Sequence, residues 1–194
     1  NIKLAFEYDS ICDTHYNNFE PEENKYIVIK NGKVGTVDIH NKVIIPIIYD
    51  ELSGWVEYGP EAHFAKKDGK YGLISYEGQI IIPLEYEYVD LPVAGIIVVR
   101  KNGKYGALSW KNKEILPCIY DRIINDMPIE SIGDTREPKL IVLSNGNWNY
   151  YDKKGDIIRK NVPKEVIMES YGHRIERGEP SNENLDFGMK RAKK

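Results

Sequence analysis

YIVIKNGKVGTVDIHNKVIIPIIYDEL, residues 26–52, returns as HFAKKDGKYGLISYEGQIIIPLEYEYV at 63–89 and as IVVRKNGKYGALSWKNKEILPCIYDRI at 97–123. The three copies align without a gap. Their shared glycine falls at Gly35, Gly72 and Gly106, in steps of 72 − 35 = 37 and 106 − 72 = 34, and Pro46, Pro83 and Pro117 keep the same steps. Tyr49, Tyr86 and Tyr120 close each copy. A period of this size is the signature of a stacked repeat, in which one unit cannot bury its own apolar face.

Working outward, a fourth and decayed copy begins at Leu140 as LIVLSNGNWNYYDKKGDIIRK, with Asn149 where the others have glycine and with the proline-tyrosine end missing. It reads as a terminal cap. At the other end FEYDSI, from Phe6 to Ile11, matches the tail of a copy whose front half is absent. The expected organisation is a half-repeat at 1–11, repeats at about 26–52, 63–89 and 96–123, a capping repeat at 139–160, and a charged C-terminal extension at 161–194.

Within each copy an apolar run meets Asn-Gly or Asp-Gly, the pair that tolerates the positive φ angles of a type I′ hairpin turn. A second strand, such as YGLIS, leads to another polar turn and a third apolar run that reaches proline. Proline cannot donate to a ladder, so it belongs at a strand end or on an edge. Each unit is therefore expected to be a three-stranded antiparallel meander, with the Tyr-Asp segment carrying the chain to the next. The fold class is all-β, with the units stacked as an elongated array in preference to a closed, barrel-like one. The glycine inside the second strand marks a bulge or a close approach of another segment. VPKEVIMESYGHRI, after the repeats, suits a short helix or strand with Pro163 in a first turn, and the residues past Gly178 read as disordered.

The pattern G-K-aromatic-G, an apolar residue with aspartate or serine, a polar turn, I-I/L-P and a Tyr-Asp close resembles the WG repeat of bacterial proteins. The likeness covers residues 26–158 and the opening half-repeat. It departs at the namesake tryptophan, which is Val34, Tyr71 and Tyr105, and survives as Trp148 followed by Asn149. The resemblance implies a scaffold for protein contacts, in some cases a toxin-neutralising immunity protein, and it carries over no catalytic residue.

Composition narrows the partners. The 27 basic and 30 acidic residues give a formal net charge of −3, which offers no global footprint for nucleic acid. No apolar run approaches the ~20 residues of a membrane-spanning helix. Cys12 and Cys118 cannot form a multi-bridge framework. Cytoplasmic residence is the expectation, with a periplasmic or secreted location if a signal was removed ahead of Asn1.

Candidate chemistry is sparse. His15, His40, His63 and His173 are far apart in sequence, and Cys12 with His15 supplies two ligands where a metal needs more. Cys118 stands where other copies have Ile47 and Leu84, a packing position. The Lys-x-Gly steps lack the spacing of a phosphate loop. Lys30, Lys33, Lys67, Lys70, Lys101 and Lys104 read as edge charges that block aggregation in preference to a basic binding stripe. No catalytic residue, metal or cofactor is expected.

The 14 tyrosines are the outlier, and those outside the repeat core suit a recognition surface. SGWVEYGPE, residues 53–61, is inserted between the first two copies and sets Trp55 and Tyr58 beside Glu51, Glu57 and Glu61. NDMPIESIGDTREP, residues 125–138, is a second acid-rich insertion. Insertions in repeat arrays project as loops, often on the functional face. The expectation is a non-catalytic protein-binding module whose partner-binding residues are Trp55, Tyr58, Glu51, Glu57 and Glu61, and whose partner is another protein such as a basic toxin domain. The alternatives are a structural segment of a larger surface or secreted protein, and an enzyme with a site in an inserted loop.

Overall fold

The computed structural model describes residues 7–13, 25–52, 62–126 and 138–176. They fall into two compact units, one up to Glu85 and the other from Tyr86 onward. In the first unit, β1 (Ser10–Asp13), β2 (Lys25–Lys30), β3 (Lys33–Asp38) and β4 (Val43–Tyr49) form one antiparallel sheet in that order. A second sheet holds β5 (Glu51–Leu52), β6 (Ala62–Lys67), β7 (Lys70–Ser75) and β8 (Ile80–Tyr86). The second unit repeats the plan with β9 (Tyr88–Val89), β10 (Ile96–Lys101), β11 (Lys104–Ser109) and β12 (Glu114–Tyr120), then with β13 (Arg122–Asp126), β14 (Lys139–Ser144), β15 (Asn147–Tyr151) and β16 (Ile157–Val162). The helix α1 (Lys164–Glu176) follows.

Each sheet has four strands, which corrects the expected three-stranded meander. The residues after the closing tyrosine do more than link the copies: they pair with the first strand of the next one. Glu51 faces Lys66 and Leu52 faces Ala65, while Val89 and Tyr88 face Val99 and Arg100. A repeat thus begins in the sequence at its hairpin but in space at the tail of its predecessor. Two-residue strands such as β5 and β9 are too short to show a period of two.

The hairpin turns form as their residues dictate. Asn31-Gly32, Asp68-Gly69, Asn102-Gly103 and Asn145-Gly146 all have positive φ at both positions, the geometry of a type I′ turn. Gly35 and Gly106 lie at register shifts against β4 and β12. A Cβ built on Gly35 would come within 2.6 Å of the Ile45 carbonyl oxygen, and one on Gly106 within 2.8 Å of the Leu116 carbonyl oxygen. Bulge and close approach therefore coincide at this position.

The cores lie between successive sheets. In the first unit Ile27, Val34, Ile45 and Tyr49 meet Leu52, Ala65 and Ile74. In the second, Val98, Tyr105 and Leu116 meet Ile123, Leu140, Val142 and Tyr151. Val34 and Tyr105, at the namesake aromatic position, thus face the following sheet. Their counterpart Trp148 faces α1 instead, in a cluster of Ile124, Ile141, Trp148, Val162 and Ile167. Ile167, Tyr171 and Ile175 recur every four residues and present one apolar stripe to the sheet. The extension after the repeats is a helix at 164–176, and it covers the face that a further repeat would occupy.

The fourth copy departs from the others in two neighbouring places. Its third strand spans six residues from Ile157 to Val162, one fewer than the seven of β4, β8 and β12. Asn149 stands where the other copies have glycine, and its Oδ1 accepts a hydrogen bond from the Asn161 amide at 3.0 Å. Asn161 is left-handed, with φ 50. The shortening and the Asn-for-Gly exchange are one local solution.

Candidate binding surface

Most recurring polar residues hold the repeats together. The acidic residue after each closing tyrosine reaches the type I′ turn of the next hairpin. Glu87 accepts from the amides of Asn102 and Gly103, each at 3.0 Å, and Asp121 accepts from the Asn145 amide at 2.8 Å. Asp50 accepts from Asp68 and Gly69 in the same way. The lysine that follows a repeat's own turn completes the latch: Lys33 binds Asp50 at 2.5 Å and Lys104 binds Asp121 at 2.6 Å. These lysines hold the Asp50 and Asp121 carboxyls below their usual range, with the turn amides adding to the effect.

Several of these lysines accordingly have partners and do not stand as a free basic stripe. Besides the Lys33 and Lys104 pairs, Lys30 binds Glu7 at 2.7 Å, and Lys101 lies over the Tyr86 ring at 5.8 Å. Cross-strand neighbours use the same chemistry, with Lys66 over Tyr71 at 5.0 Å and Arg100 over Tyr105 at 5.8 Å.

A denser polar cluster joins α1 to its unit. Asp126, with a side chain 1% exposed, accepts from the Tyr171 hydroxyl at 2.6 Å and pairs with Lys139 at 3.1 Å. Arg122 donates to the carbonyls of Arg174 and Ile175 at the helix end, and Arg174 donates to the Asn125 carbonyl. Asp90 and Tyr88 are hydrogen-bonded to each other nearby. Burial raises the carboxyl of the first and the phenol of the second, against which Arg174 acts in the opposite sense. These groups are consumed in fastening one helix to two sheets.

Of the sequence-predicted binding residues, Glu51 lies in β5 and pairs with Lys66 across the strands at 3.2 Å. Trp55, Glu57, Tyr58 and Glu61 lie outside the described residues, as do His15 and most of the second insertion. The two insertions occupy equivalent places: residues 53–61 join β5 to β6, and residues 127–137 join β13 to β14. The same connection in the third sheet, β9 to β10, takes only residues 90–95. His63 is buried, with its ring 4.7 Å from that of Tyr76, and the Cys118 sulfur packs over Gly106. Both occupy packing positions. Among the described residues no group of three or more His, Cys, Asp or Glu is placed to hold a metal, and no helix is long and apolar enough to cross a membrane.

One surface was not anticipated from the sequence. A groove of about 640 Å³ is lined by Tyr120, Tyr151 and the run 155–160 along β16. Tyr120 and Tyr151 meet edge to face at 5.9 Å, and burial together with the Tyr151 hydroxyl pushes the Tyr120 phenol up to about 12. Ile157 and Ile158 are 45% and 48% exposed beside it. The available signal was the proline missing from the fourth copy.

Comparison with known families places two matches to the WG containing repeat on this chain, at residues 35–71 and 71–105. No curated protein matches it.

Proposed function

We propose that this chain, which matches the WG containing repeat at residues 35–71 and 71–105, is a non-catalytic module that binds another protein through its inserted loops. The observation that carries this reading is the division of labour among polar residues. Those shared by the copies are spent on latches between sheets, such as Lys104–Asp121–Asn145. Recognition is left to what the copies do not share. The insertion at 53–61 is the sharpest candidate, because Trp55 and Tyr58 can serve as aromatic anchors with Glu57 and Glu61 as an acidic rim. Glu51, tied to Lys66 at 3.2 Å, stands in β5 immediately before that insertion in the sequence.

An acidic rim suits a basic partner, and neutralisation of a basic toxin domain is the specific form of the proposal. Trp55→Ala with Tyr58→Ala is expected to abolish partner capture from the native organism while leaving the circular dichroism spectrum unchanged. Anchors of this kind contribute upwards of about 2 kcal/mol each. Undiminished recovery of the partner by a folded double variant would remove the loop from the binding site.

A further inference from the structure

The strands β4, β8 and β12 each form an edge of their sheet, and each carries proline at its fourth residue: Pro46, Pro83 and Pro117. Proline on an edge removes a donor and blunts pairing with foreign strands. The corresponding edge strand β16 reads IIRKNV, with Lys160 at the fourth position. Its outer edge keeps the amide that the other three lack. Ile157, Ile158, Arg159 and Lys160 are all exposed, and among the described residues Arg159 and Lys160 form no ion pair.

The local charge is biased. Lys153 and Lys154 stand in the preceding turn, and Asp152 there is occupied by the amides of Lys154 and Asp156, at 2.8 and 2.9 Å. Asp152 and Asp156 together bring two negative charges against the four cations Lys153, Lys154, Arg159 and Lys160. The groove over Tyr120 and Tyr151 runs beside the strand and leaves room for side chains from an added one.

We propose that the outer edge of β16 accepts an extended acidic segment of another protein as a fifth strand of its sheet. Main-chain hydrogen bonds to β16 supply the pairing, carboxylates on one face of the segment meet Arg159 or Lys160, whose side chains alternate across the strand, and apolar side chains on its other face cover Ile158 or Ile157. A second copy of this chain fits poorly, because antiparallel pairing of two β16 strands sets Arg159 and Lys160 against their own kind, and like charges across a ladder destabilise it. The inference shares with the proposed function only that the partner is a protein; the surface and the charge it selects are different.

The test uses fluorescence polarisation of the full chain with three labelled hexapeptides: alternating Glu-Val, alternating Glu-Pro of the same charge but unable to pair, and alternating Lys-Val. Glu-Val is expected to bind at least about tenfold more tightly than either other probe. Lys160→Pro, which restores the residue found in the sister strands, is expected to abolish that binding with the melting temperature retained. Arg159→Glu with Lys160→Glu, fully on the surface, should transfer the preference to Lys-Val. Equal binding of Glu-Val and Glu-Pro would reduce the surface to a plain charge patch, and unchanged binding by a folded Lys160→Pro chain would remove β16 from the contact. Either result overturns the proposal. Trp55→Ala with Tyr58→Ala is expected to bind Glu-Val as wild type does, so failure of the loop reading and failure of this one remain distinct.

Discussion

At Gly72 and Gly106 a residue that would weaken an ordinary strand is required by packing. A Cβ on Gly106 would come within 2.7 Å of the Cys118 sulfur and 2.8 Å of the Leu116 carbonyl oxygen, and one on Gly72 would collide with the carbonyls of Ile82 and Pro83. Gly72→Val and Gly106→Val are each expected to cost about 1–3 kcal/mol, the usual range for overpacking, read as a lower midpoint in urea. Asp90 presents the opposite case. Burial raises its carboxyl, so the folded state holds the proton more tightly than the unfolded chain, and stability falls as pH rises through that interval. Asp90→Asn keeps an acceptor for Tyr88 and removes the half-buried charge. It is expected to raise the melting temperature at pH 7 and to lose this advantage at pH 3, below the ordinary aspartate value. A variant less stable than wild type at both values would contradict this account.

Among the elements, α1 differs in origin from the strands yet completes their last sheet. Its acidic Glu165 in the first turn and basic His173 and Arg174 in the last complement the helix dipole. Its isolated stability is marginal at thirteen residues, so it depends on Ile167, Tyr171 and Ile175 packing over Ile141 and Trp148. Ile167 is fully buried. Ile167→Ala is expected to cost about 2–4 kcal/mol, and calorimetry would measure it. A loss below half a kilocalorie would mean that the helix is only loosely attached. The repeat pattern stopped being informative here, because the helix replaces a missing repeat and shares none of its residues.

For the molecule as a whole, the latches make acid the chief chemical threat. Asp50 and Asp121, together with Glu7, Glu77 and Asp152, are held below their ordinary values by lysines, hydroxyls or backbone amides. Depressed carboxyls stabilise the fold above the unfolded value and lose that contribution as pH falls through the folded one. The contribution of these carboxyls should therefore be level from about pH 6 to 5 and decline below the ordinary carboxylate range, near 4. Asp50→Asn with Asp121→Asn should flatten that decline in a series of melting curves. An acid limb identical to wild type would show that the latches contribute nothing in solution.

Local chemistry was legible in the sequence, because it acts within a few residues. Asn102-Gly103 specifies its turn through positive φ, Gly106 marks its own bulge, and the gap-free copies fix the phase of the hairpins. The same sequence did not show which sheet receives Tyr88 and Val89, since two residues carry no periodicity and their pairing with Arg100 and Val99 is decided by the free edge they meet. Nor did it show that Asn149 and the shortened β16 compensate each other, or that α1 closes the last face. Those outcomes depend on which surfaces are brought together across tens of residues, and only the tertiary structure decides that.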